Sequence, residues 1–247
     1  MPTTVRQGKP RRTAAAIGAA FIAGGFSAAG ASPLYEEPRH LPAQASISQS
    51  EAASRCAPAL VTTDKACSVG EFGRVGAIAG HDFFYAHYDY RDVPPTPPDI
   101  PHPRIVIFEG EPSAMLRPIL ISGEDPAIHY ERPVIRHAGG RVVLHIPASE
   151  SGSAQLNHET MYVWAQYGWR DVDVTSWLRD LDHRLPKGFG FQKGIYPDYT
   201  KMTASTPLWR NNEAPCPTGG RANVDLQWHG DRIALRGLRI EKHDWGC

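Results

Sequence analysis

Apolar and polar residues alternate with a period of two through much of the chain, and the clearest run lies near its C-terminus. Val224, Leu226 and Trp228 fall on one face, His229, Gly230 and Asp231 make a turn, and Ile233 and Leu235 resume the apolar face. A period of two sends successive side chains to opposite sides of a strand, so this run predicts a hairpin. Leu238 and Ile240 stand one step out of phase, which a bulge at Gly237 would correct.

The same pattern recurs upstream. Strands are predicted over 72–79 and 82–90, joined at Gly80 and His81, and over 104–109 and 115–121 around Gly110, Glu111 and Pro112. Strands over 133–137 and 141–146 flank Gly139 and Gly140, a pair that accepts the positive φ angles of a tight hairpin turn. Strands over 161–165 and 169–174 flank Gln166, Tyr167 and Gly168. Spans 189–196 and 204–210 read as extended. One short helix is predicted near 176–185: Trp177, Leu178, Leu181 and Leu185 share a face, Thr175 is placed to cap it, and Pro186 and Gly188 stop it. The fold class expected is mostly β, an antiparallel hairpin meander of sandwich, barrel or propeller-like form. The six prolines of 93–103 predict an extended connector, a possible soft boundary, since proline donates no ladder hydrogen bond.

The first 31 residues break the alternation. Arg6, Lys9, Arg11 and Arg12 precede an apolar run over 14–26, which ends in small residues at Ala29, Gly30 and Ala31. A basic head, a short apolar middle and a small-x-small site make a cleavable export signal over 1–31. The run is too short to span a bilayer, which takes about 20 residues, and no other run is long enough, so no transmembrane segment is expected. Arg11 and Arg12 admit the twin-arginine route. Thr13, Ala14 and Ala15 lack its bulky apolar residue, which favours the general route. Residues 32–54 are polar and read as a flexible lead-in, and 55–247 as a single β domain.

Composition narrows the function. Basic and acidic residues balance at 26 each over the full 247 residues. Removal of a signal with four basic residues and no acid leaves the mature chain mildly acidic, which argues against nucleic-acid binding. Glycine and proline, 23 and 22 residues, exceed their ordinary joint share of about 12%, as suits a loop-rich β protein. All four cysteines, Cys56, Cys67, Cys216 and Cys247, follow the signal. In an oxidising compartment they predict two disulfides. The local pairings, Cys56 with Cys67 and Cys216 with Cys247, are favoured among the three possible. A zinc site is disfavoured because no two cysteines have the close spacing such sites use.

Candidate chemistry is sparse. His87 and Asp89 share one strand face and could supply two metal ligands, but a third would have to come from His137, His145 or His158. His81 is about 20 Å away along the strand. His158 and Glu159 begin like a zinc-protease helix but lack the second histidine. Ser151 to Ser153 is a loop rather than a nucleophile elbow. Lys193, Tyr196, Asp198 and Tyr199 could line a polar pocket, with Arg221, behind the glycine turn at Gly219 and Gly220, adding charge to an anion nest. This stretch, 193–221, resembles exported bacterial proteins, a likeness that carries no activity with it. The expectation is an exported, non-catalytic binding or structural module of the cell envelope, with no cofactor, whose partner is an envelope protein or a glycan. The alternative is an exported, metal-assisted hydrolase.

Overall fold

Strand β5 (His102–Gly110) carries the run Ile105, Val106, Ile107 and Phe108, all fully buried. A strand apolar on both faces must be covered on both, and the molecule is built accordingly. The computed structural model describes residues 39–42, 45–95, 97, 99–111, 114–152, 156–165, 168–210, 213 and 216–242. The expected signal over 1–31 lies outside them.

In chain order the strands are β1 (Arg39–His40), β2 (Ile47–Ser48), β3 (Lys65–Ile78), β4 (His81–Asp92), β5, β6 (Met115–Ile121), β7 (Ile128–Tyr130), β8 (Val134–Ala138), β9 (Arg141–Ile146), β10 (Ala148–Glu150), β11 (Thr160–Ala165), β12 (Gly168–Val172), β13 (Phe189–Gly190), β14 (Thr203–Pro207), β15 (Trp209–Arg210), β16 (Arg221–His229) and β17 (Arg232–Glu241). The helices are α1 (Gln49–Ala52) and α2 (Ser176–Arg184). The fold is mostly β, and every paired strand runs antiparallel to its neighbour.

Three sheets are layered. The first has the order β1-β6-β5-β4-β3, with β2 also on β6; the second is β12-β11-β9-β8; the third is β14-β16-β17. Phe83, Tyr85, Ile105 and Ile107 of the first sheet meet Leu144, Ile146, Tyr162 and Trp169 of the second in one core. The opposite face of the second sheet, through Val143, Met161 and Val163, meets Val224, Leu226, Ile233 and Leu235 of the third, with Trp177 and Leu181 of α2. The middle sheet is thus buried on both sides.

A third core lies on the outer face of the first sheet, where Ala86, Tyr88, Val106 and Phe108 are covered by Ile47, Ala52, Cys56 and Ala57. Residues 39–42 and 45–54, within the segment read above as lead-in, therefore hold structure. β1 and β2 pair with β6, and Ser48 and Glu51 form a capping box on α1. The Ala57 N–H donates to the Tyr88 hydroxyl at 2.9 Å, and the Tyr90 hydroxyl donates to the Leu60 carbonyl at 2.9 Å. The Cys56–Cys67 disulfide joins this covering segment to β3. Cys216 is also disulfide-bonded, and Cys247 lies outside the described residues.

Several local expectations shift by a residue or two. The first long hairpin turns at Ala79 and Gly80, with φ of 51° and 86°, rather than at Gly80 and His81. The predicted bulge near Gly237 is present: Asp225 pairs with Gly237 and Leu226 with Leu235, leaving Arg236 as the extra residue. Thr175 makes no side-chain cap on α2. Asp173 does so instead, its Oδ1 accepting from the N–H groups of Thr175 and Ser176 at 2.9 and 2.8 Å. Of span 189–196 only Phe189–Gly190 is strand. The proline-rich connector joins β4 to β5, which pair directly, Tyr90 against His102, so it is a loop within one sheet.

Candidate functional site

The polar residues singled out around 193–221 do not converge. Lys193, Tyr196 and Asp198 are exposed, whereas Tyr199 is fully buried. Asp198 closes a local turn, accepting from the N–H groups of Thr200 and Lys201 at 3.1 Å each and pairing with the Lys201 ammonium at 2.8 Å. It bridges to Thr203 at one end of β14, while Arg221 pairs with Pro207 at the other end, about 13 Å away at strand rise. The glycine turn offers no nest, because the Gly219 N–H donates to the Leu208 carbonyl at 2.7 Å and the Thr218 N–H to Glu213 at 3.0 Å. A Cβ on Gly220 would lie 2.2 Å from the Glu241 carbonyl oxygen, so close packing explains that glycine.

His87 and Asp89 lie on one face of β4, opposite Glu71 and Ser68 of β3. Burial holds the His87 imidazole below its ordinary pKa, against the pull of Glu71 and Asp89. None of the expected third ligands reaches it. His137 is exposed on β8, His145 pairs with Glu159, and His158 lies 3.8 Å from Glu150. Among the described residues no group of three His, Cys, Asp or Glu side chains is placed to hold a metal.

His145 belongs to a buried network. Its Nε2–H donates to Glu159 Oε2 at 2.7 Å, and the Tyr199 hydroxyl donates to Glu159 Oε1 at 2.6 Å. The imidazole and phenol rings meet edge to face at 5.4 Å. Burial, reinforced by Glu159, raises the Tyr199 pKa well above its ordinary value. Next to it, the Asn157 amide donates to the Ile195 carbonyl and accepts from the Ile195 N–H, both at 2.7 Å. These contacts dock the loop carrying Ile195 and Tyr199 onto the middle sheet. A cleft of about 540 Å³ beside them is lined by Asn157, Glu159 and Asp173, whose side chains are already engaged in the loop, the network and the α2 cap.

A different cleft, of about 530 Å³, opens between the first and second sheets. On one wall Glu109 of β5 stands opposite Arg117 of β6 and Phe83 of β4, with His81 diagonally across. The His81 Nδ1–H donates to Glu109 Oε1 at 2.6 Å, and Arg117 donates to Glu109 Oε2 at 2.5 Å. Both carboxylate oxygens are engaged, and the charges of Glu109 and Arg117 cancel. The other wall is the pair Trp164 and Trp169, directly opposed on β11 and β12. Their rings meet at 5.0 Å and 75°, with Phe83 edge-on to both at 5.8 and 5.3 Å. Trp169 is buried and its indole N–H has no partner among the described residues. Trp164 remains half-buried at the mouth. At one end His40 of β1 reaches Asp171 of β12 at 3.3 Å and lies edge-on to Tyr162, linking the two sheets across the opening.

Sequence reasoning placed Trp164 and Trp169 in a hairpin and His81 at a strand end, but did not assemble this cleft. The available signal was the hairpin of 104–109 and 115–121, whose register sets Glu109 against Arg117. No protein-family model, curated protein or solved structure matches the chain.

Proposed function

We propose that the protein is an exported, non-catalytic binding module of the cell envelope, and that it binds through the cleft between its first and second sheets. The observation that carries this reading is the composition of that cleft: an aromatic wall faces a carboxylate already neutralised by Arg117 and hydrogen-bonded by His81. Ligand sites pair apolar surface with a few fixed polar groups.

Export is supported by the N-terminal pattern and by the Cys56–Cys67 disulfide, since such bonds persist in oxidising compartments. Among the described residues no helix is long and apolar enough to cross a membrane. Two measurements test the proposal. The exported protein has a mature N-terminus at Ser32, read by intact mass. That protein co-sediments with insoluble envelope fragments of its source organism. Full retention of residues 1–31, or a protein that stays in the supernatant, contradicts it.

A further inference from the structure

Resting on that reading, we propose that the ligand of this cleft is a neutral glycan, one sugar ring of which lies on Trp164 with its hydroxyls directed to the Glu109–Arg117–His81 cluster. A pyranose has a face of C–H bonds and a rim of hydroxyls. It therefore needs an aromatic surface beside donors and acceptors, the combination that the partly exposed Trp164, against which the His81 ring packs at 5.5 Å, and the Glu109–Arg117 pair provide. The cluster suits hydroxyl recognition. Glu109 is pinned from both sides, so its remaining lone pairs and the spare Arg117 N–H groups hold a fixed geometry. With Nδ1 carrying the proton donated to Glu109, a neutral His81 has an acceptor at Nε2.

Charge sets the ligand class. Arg117 and Glu109, the charged pair on the cleft wall, cancel. A charged ligand would meet no uncompensated partner on that wall, whereas a neutral polyol needs none. A protein partner is disfavoured on shape, because interfaces between proteins are broad surfaces of about 800 Å² a side, whereas this site is a confined cleft.

The test uses the mature protein, with its disulfides intact, and three preparations of envelope fragments: untreated, protease-stripped, and oxidised with periodate, which cleaves the vicinal diols of sugar rings. The proposal expects co-sedimentation with untreated and stripped fragments and its loss on oxidised ones. Trp164→Ala and Arg117→Ala, each checked for a native circular dichroism spectrum, weaken binding by about tenfold or more, the scale of one aromatic or charge-assisted contact. Arg117 is 40% exposed, so its variant remains informative if Trp164→Ala does not fold. Loss of binding on protease treatment, with or without sensitivity to periodate, overturns the glycan assignment and leaves the binding module standing with a protein partner. Unchanged binding by folded variants overturns the cleft as the site. No sedimentation with any preparation overturns the parent reading as well.

Discussion

Glu159 ties the loop carrying Tyr199 to the middle sheet through buried hydrogen bonds. It accepts from His145 and Tyr199 in a site where none of the three exceeds 9% exposure. Replacing it with alanine strands two buried donors, each costing about 1–3 kcal/mol. Glu159→Ala is therefore expected to lose about 3 kcal/mol in a denaturant titration, and Tyr199→Phe, which strands one buried carboxylate oxygen, about 2 kcal/mol. The tyrosines also set an alkaline limit. Burial pushes the Tyr85 and Tyr88 hydroxyls up to about 12 and Tyr199 well above its ordinary value. A phenol whose folded pKa is raised gives up stability once the unfolded chain begins to ionise, near 10. The tyrosines' contribution should be flat below that pH and fall above it, with tyrosinate absorbance appearing together with unfolding. Histidine and acid at 145 and 159 were visible in the sequence as isolated features. Their meeting required the register of β9 against β11, which no local pattern states.

Short elements were the hardest to read. A helix of four residues has too little length for a 3.6 period to show, so α1 and the strands at Arg39–His40 and Ile47–Ser48 passed as polar lead-in, although Ser48 and Glu51 carry the capping-box pattern. The long hairpins were legible because alternation and a glycine turn agree over many residues, as at Gly139 and Gly140. For α2 the buried face was legible, and the cap was not: Asp173, two residues before the expected Thr175, holds the first N–H groups. Asp173→Ala is expected to cost about 1 kcal/mol, the usual worth of such a cap, and to speed amide exchange in the first turn of α2. Burial raises the Asp173 pKa, but the N–H donors of Ser176 and Thr175 outweigh it and leave the group below its ordinary 3.8. Its contribution is present above that pH and is lost as pH falls below it. The alanine variant should therefore lose less stability between neutral and acid pH than the parent does.

The layering of three sheets was beyond the sequence, because alternation tells which side chains share a face and not which face meets which. That β5 is apolar on both faces was the one hint that its sheet is covered twice. The covering segment is held by the Cys56–Cys67 disulfide on the outer face of the first sheet, whereas the cleft proposed to bind opens toward the second. Replacing both cysteines with serine should lower stability by about 2–3 kcal/mol, the range for a loop of this size, and leave affinity for envelope fragments unchanged.

The claim that ligand enters between the first and second sheets is tested most directly by hydrogen–deuterium exchange of the mature protein with and without envelope fragments. The account predicts slowed exchange in the segments carrying His81 and Phe83, Glu109, Arg117, and Trp164 with Trp169, and no change around Lys193, Tyr196 and Asp198. Protection confined to that exposed loop, or no protection under conditions where the protein sediments, would contradict it.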